Sequence, residues 1–99
     1  MTENRIDSTF ARLRSEGRAG FIAYICAGDP NLAATRVLVP ALERVGVDII
    51  EIGIPFSDPL ADGVVNQLAS ARALASGTTL NRVIEIGRAS CRERVCNGV

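Results

Sequence analysis

Glu51 stands in the middle of the apolar run DIIEIGI at 48–54, and that is where this sequence first offers chemistry. In a strand, side chains alternate between faces. Glu51 would then lie between Ile49 and Gly53, opposite Ile50 and Ile52. A carboxylate so placed is costly unless it is hydrogen-bonded or used. Desolvation lifts its pKa toward neutrality, where a general acid or base operates. An edge glutamate facing water, or one paired with an arginine, fits the same pattern. Asp62 follows in LADG at 60–63, beyond the strand's C-terminal end, where α/β proteins place their sites. Taken alone, Asp62 reads more readily as a turn residue capping the next helix. Asp58, in SDP at 57–59, reads so more strongly still, and Asp29-Pro30 is a plain turn signal.

Absences narrow the chemistry further. There is no histidine, and all 11 basic residues are arginine. Within this sequence a histidine base, a histidine-held metal and an imine-forming lysine are excluded. Proton transfer falls to carboxylates, with Tyr24 or a cysteine as poorer candidates. Of the 3 cysteines, Cys26 sits in an apolar run and reads as a small buried hydrophobe. Cys91 and Cys96 have no further ligands to complete a zinc site, so no metal is expected.

The chain is 47% hydrophobic and 22% charged with a formal net charge of +0. That balance reads as soluble and globular, with no pull toward nucleic acid or an acidic membrane. Charged or turn residues interrupt every apolar run, so neither a signal peptide nor a membrane span is expected. A cytoplasmic location is the default. Arginines spread along the chain need no explanation beyond solvation.

The elements that must position the carboxylates follow from periodicity. Ile6, Phe10 and Leu13 mark one amphipathic helix ending near Gly17. GFIAYICA at 20–27 reads as a buried strand, and GDP at 28–30 as a turn. A helix is expected over 31–45, with Leu38, Leu42 and Val45 inward, Asn31 or Asp29 as its cap and Gly46 beyond its end. Pro40 predicts a kink near 35–40, because it removes a hydrogen bond and crowds the preceding turn. After the strand at 48–54 comes PFSDPLADG, long for a connector and therefore suggestive of function. Helices are expected over 66–76 and from 79, the latter with Leu80, Val83 and Ile84 inward. Strand alternating with helix implies parallel pairing through right-handed crossovers. Two parallel strands leave edges and apolar surface open, so the pattern reads as an excerpt of a larger α/β sheet or barrel.

EIGIPFSDPLADG at 51–63 resembles the hallmark segment of tryptophan synthase alpha subunits. FIAYICAGDP at 21–30, VGVDII at 45–50 and ARALASGTTL at 71–80 fit the same family in kind and spacing. The resemblance runs from about Ile6 to Ile86. It implies the N-terminal portion of a (β/α)8 barrel, two of eight strands, truncated. The implied activity is lyase cleavage of indole-3-glycerol phosphate to indole and glyceraldehyde 3-phosphate, in tryptophan biosynthesis. By position Glu51 would be the general acid–base and Asp62 would accept the indole N–H. Tyr24 would line the indole pocket, with a core aromatic an equal alternative. Asp58 and Pro59 would meet the tryptophan synthase beta subunit in an alpha2-beta2 tetramer. That partner carries pyridoxal phosphate, so no cofactor is expected in this chain.

The sequence also departs from the family. Val64-Val65-Asn66 replaces the usual proline and apolar residue before Gln67, Ala23 stands where proline is common, and Cys26 where threonine is common. From Gly87, GRASCRERVCNGV reads as a non-family tail over 87–99, from a frameshift, an assembly join or foreign DNA. It is expected to abandon both the helix and the following strand. The phosphate-binding region, built late in such barrels, would be missing. Two other readings remain: a related phosphate-handling barrel, which the loop at 55–63 argues against, and a truncated non-catalytic protein that binds a beta-type subunit.

Overall fold

The computed structural model describes residues 4–57, 61–93 and 97–98. Helix α1 (Arg5–Ser15) leads into strand β1 (Ile22–Cys26), then α2 (Leu32–Arg44) and β2 (Ile49–Gly53). Helices α3 (Val64–Ala75) and α4 (Leu80–Glu93) follow, with a short β3 (Asn97–Gly98) last. The strands form one parallel sheet in the order β1-β2-β3. Tyr24 pairs in register with Glu51, and Cys26 with Gly53.

Local chemistry fixes the helix ends. Asn4 caps α1 by accepting the Asp7 N–H, and Asn31 caps α2 by accepting the Ala34 N–H, both at 2.8 Å. Each satisfies a backbone donor that the first helical turn leaves unpaired. Gly46, at φ 102°, carries the backbone past the end of α2 in a conformation that L side chains rarely adopt.

Packing on one sheet face makes the core. Ile50 and Ile52 are almost wholly buried, and Ala27, Leu32, Val39, Val83 and Ile86 close around them from the end of β1, α2 and α4, with Ala27 just past the strand. Burying each large aliphatic side chain contributes roughly 1.5–3 kcal/mol. Strand alternation leaves Ile22, Tyr24 and Glu51 on the opposite face, open to solvent.

Three expected helix faces need correction. In α2 the buried residues are Leu32, Thr35 and Val39, while Leu38 and Val45 are exposed. The hydrophobic pattern passes over Thr35 because its type is polar. Its hydroxyl, however, accepts the Gly28 N–H at 2.9 Å and donates to the Asn31 carbonyl at 3.3 Å, which makes the buried position tolerable. In α4 the inward residues are Val83 and Ile86, with Leu80 and Ile84 exposed. In α1 only Leu13 is buried, against Gly20, where a β-carbon would lie 2.7 Å from the Leu13 Cδ1.

Helix α2 also continues through Pro40 as one element. Proline cannot supply the N–H that the Arg36 carbonyl would receive, but Arg36 is exposed and water can serve it. The start of α3 is Val64 rather than residue 66, with Gly63 at its cap position. Nor does α4 stop at Gly87. It runs to Glu93, and Asn97–Gly98 pairs in parallel with β2. Alanine, arginine and glutamate in RASCRE are good helix formers, and propensity carries the helix on.

Candidate functional site at the C-terminal end of the strands

Glu51 projects from β2 on the open face, directly beside Tyr24 of β1. The expectation of a desolvated carboxylate is not met, since Glu51 is exposed. Ile50 and Ile52 hold the strand from behind, so the backbone under Glu51 is fixed although its side chain is wet.

Tyr24 is 49% exposed. Its ring lies across Gly53 of the neighbouring strand, where a β-carbon would collide with the ring carbons and the hydroxyl. Partial burial pushes the phenol pKa up from its ordinary value, and the charges of Asp62, Glu51 and, in the alkaline range where a phenol titrates, the Cys26 thiolate push it the same way. Both acids therefore lie within electrostatic reach of one phenol.

Asp62 is exposed and lies just before Gly63, the cap residue of α3. Gly63 offers no side chain to cap that helix. Instead the Gln67 side-chain amide donates to the Asp62 backbone carbonyl at 2.8 Å, tying the end of the loop to the first turn. Asp58 and Pro59 lie outside the described residues.

Behind these groups, Cys26 sits half-buried at the end of β1. Burial raises its thiol pKa, with the Ser70 hydroxyl acting in the opposite sense through a hydrogen bond. Burial thus keeps the thiol protonated and poorly nucleophilic, as the reading of a small hydrophobe expects. Cys96 lies outside the described residues.

Two aspartates carry more than their turn and strand-end positions suggest. Asp29 receives a two-pronged bond from Arg72, at 2.8 and 3.0 Å, which clamps the loop after β1 to α3. That bond lowers the Asp29 pKa. Arg72 is therefore a structural tie as well as an exposed charge. At the other end of the sheet, Asp48 accepts the Phe21 N–H at 2.8 Å and faces Arg12 and Arg18 at 3.5 and 3.6 Å. It anchors α1 beneath the strands, far from the carboxylate end.

A parallel sheet flanked by helices, with Glu51 on its open face and Asp62 in the loop beyond β2, fits a protein of the β/α class. The comparisons with known proteins place it further. The family described as tryptophan synthase alpha chain matches residues 10–96. The tryptophan synthase alpha chain of Geobacter sulfurreducens is 52% identical over 85 residues, covering 86% of this chain and 32% of the relative. That of Pelobacter propionicus is 48% identical over 86 residues, covering 87% and 32%. The crystal structure of tryptophan synthase subunit alpha from Legionella pneumophila superposes with a TM-score of 0.91 at 37% identity, covering 97% of this chain and 37% of that one. A structure of tryptophan synthase from M. tuberculosis gives 0.87 at 31% identity, covering 97% and 39%. The chain belongs to the tryptophan synthase alpha chain family, and its fold is the N-terminal portion of a TIM barrel. It spans about a third of the length of the curated relatives it matches.

Proposed function

We propose that this chain carries the acid–base groups of a lyase that cleaves indole-3-glycerol phosphate into indole and glyceraldehyde 3-phosphate. The observation that carries the reading is the placement of Glu51 beside Tyr24 on the open face of β2, with Asp62 close enough to act on the same phenol.

The chemistry needs two proton movements and one charge stabiliser. A proton delivered to the ring carbon that bears the glycerol chain makes the ring an electron sink. Loss of the proton from the hydroxyl on the attached carbon then forms the aldehyde as the carbon–carbon bond breaks. Its electrons return to the ring and regenerate indole. Glu51 serves as the general acid–base for these transfers. Asp62 accepts the indole N–H and offsets the positive charge that develops on the ring. Tyr24 forms a wall of the indole pocket.

The partner is a tryptophan synthase beta subunit in an alpha2-beta2 assembly, met through Asp58 and Pro59. Pyridoxal phosphate belongs to that subunit, and this chain works without a cofactor of its own. Among the described residues no helix is long and apolar enough to cross a membrane. The setting proposed for the reaction is the cytoplasm.

The test is a completed barrel, in which residues 1–86 of this chain replace the matching segment of the Geobacter sulfurreducens alpha chain. Indole release from indole-3-glycerol phosphate is expected. Glu51→Gln should lower kcat by about 10²- to 10⁴-fold, the range for loss of a positioned acid–base. A completed barrel that binds the substrate without releasing indole would sink the proposal.

A further inference from the structure

We infer that the Arg72–Asp29 pair sets the tilt of α3 against the end of β1 and so places Asp62, making Arg72 and Asp29 positioning residues for the carboxylate that meets the indole N–H. This rests on the reading of Asp62 given above.

Apolar packing holds α3 only weakly. Its buried residues are Ala69, Ser70 and Ala73, while Val64, Val65, Leu68 and Leu74 are exposed. The core cluster around Ile50 and Ile52 takes none of its described members from α3. Burying alanine removes little apolar area from water, so packing by itself leaves the direction of this helix loosely fixed.

Polar ties fix it instead. The Arg72 guanidinium donates two bonds to the Asp29 carboxylate, from Nε at 2.8 Å and from Nη2 at 3.0 Å. An exposed ion pair contributes little through charge alone, but a planar fork making two bonds also fixes direction. The Ser76 hydroxyl adds a bond to the Gly28 carbonyl at 3.0 Å. The loop that receives these bonds is itself anchored, because the buried Thr35 hydroxyl of α2 holds the Gly28 N–H at 2.9 Å.

The other end of the helix carries Asp62. Gln67 donates its side-chain amide to the Asp62 carbonyl at 2.8 Å and its backbone N–H to the Gly63 carbonyl at 3.0 Å. Asp62 therefore moves with the first turn of α3. At a rise of about 1.5 Å per residue, Val64 stands about 12 Å along the axis from Arg72, and a tilt of about 10° moves it by about 2 Å. A displacement of that order is enough to lose an oriented hydrogen bond to a substrate.

The completed barrel tests this with two ligands, indole and indene, which share a bicyclic shape while only indole has an N–H. The unsubstituted barrel should prefer indole by about tenfold or more, the scale of one hydrogen bond to a charged group. Asp62→Ala should abolish that preference. Arg72→Leu should bring it to within about threefold of none while unfolding stays cooperative, and should lower kcat more than it raises KM. Asp29→Ala should lose as much, and the double variant no more than either, because both remove one interaction. Arg72→Lys keeps the charge and loses the fork, so it should fall between.

No preference in the unsubstituted barrel would remove the reading of Asp62 and this inference with it. A full preference that survives in Arg72→Leu would overturn the inference alone, as would losses from the two single variants that multiply in the double. Should Arg72→Leu fail to fold, an undiminished preference in Arg72→Lys would overturn it equally.

Discussion

Glu51 and Thr35 differ in how far their types reveal their places. An acidic residue between isoleucines breaks an apolar pattern and draws notice, and the structure puts it on the sheet face opposite Ile50 and Ile52. Thr35 breaks no pattern and was invisible, although it is 1% exposed. Its place depends on the Gly28 N–H, seven residues earlier in the chain, and periodicity within one helix cannot register such a partner. Thr35→Val in the completed barrel would keep the volume and leave that buried N–H unsatisfied, at a cost of about 1–3 kcal/mol. Thr35→Ser, which keeps the hydroxyl, should recover part of it. Denaturant unfolding of both variants checks this, and equal losses would mean that the methyl rather than the hydrogen bond matters. Gly53 was equally illegible, because its reason for being glycine is a ring on another strand.

At the scale of elements, the sequence was clear about order and weaker about faces. Both five-residue strands and all four helices were legible from periodicity and glycine punctuation. The inner faces of α2 and α4 were not, since exposed Leu38, Leu80 and Ile84 look as apolar as buried Val39 and Val83. Which of them turns inward depends on neighbouring elements and not on the helix itself. The docking of α1 shows the same dependence on distant charge. Asp48 is held below its ordinary pKa, first by the Phe21 N–H and then by the Arg18 and Arg12 guanidiniums. An unfolded chain regains a carboxyl that protonates near about pH 3.9, so acid favours unfolding. The stabilisation is full above roughly pH 5, declines as the pH falls through the unfolded value, and is gone once the folded carboxylate also protonates. Asp48→Asn in the completed barrel should therefore cost stability at pH 7 and progressively less below pH 4. A gap between the two proteins that stays constant from pH 7 to pH 3 would show that charge on Asp48 contributes nothing.

The whole molecule explains why Glu51, on the open face of the sheet, remains wet. The chain exposes 6535 Å² of surface, against roughly 5400 Å² for a compact monomer of its 10.5 kDa mass. Large apolar side chains are among what is exposed: Phe21, Ile22, Val37, Val64 and Val65. Among the described residues strand β1 ends the sheet with an unpaired edge, and a short parallel sheet with one open face is marginal in water. The chain matches only about a third of each relative, so in a completed barrel further strands are expected to continue the edge and cover that face. Barrel closure is therefore what would surround Glu51 with protein and exclude water from it. The 99-residue chain expressed by itself should bind a hydrophobic dye, unfold without a sharp transition, and release no indole. In the completed barrel the same residues should lose the dye binding, unfold cooperatively and gain activity together, because all three depend on covering one sheet face. Indole release by the isolated chain at a rate near that of the completed barrel would show that Glu51 and Asp62 function without enclosure, and that burial is not what activates them.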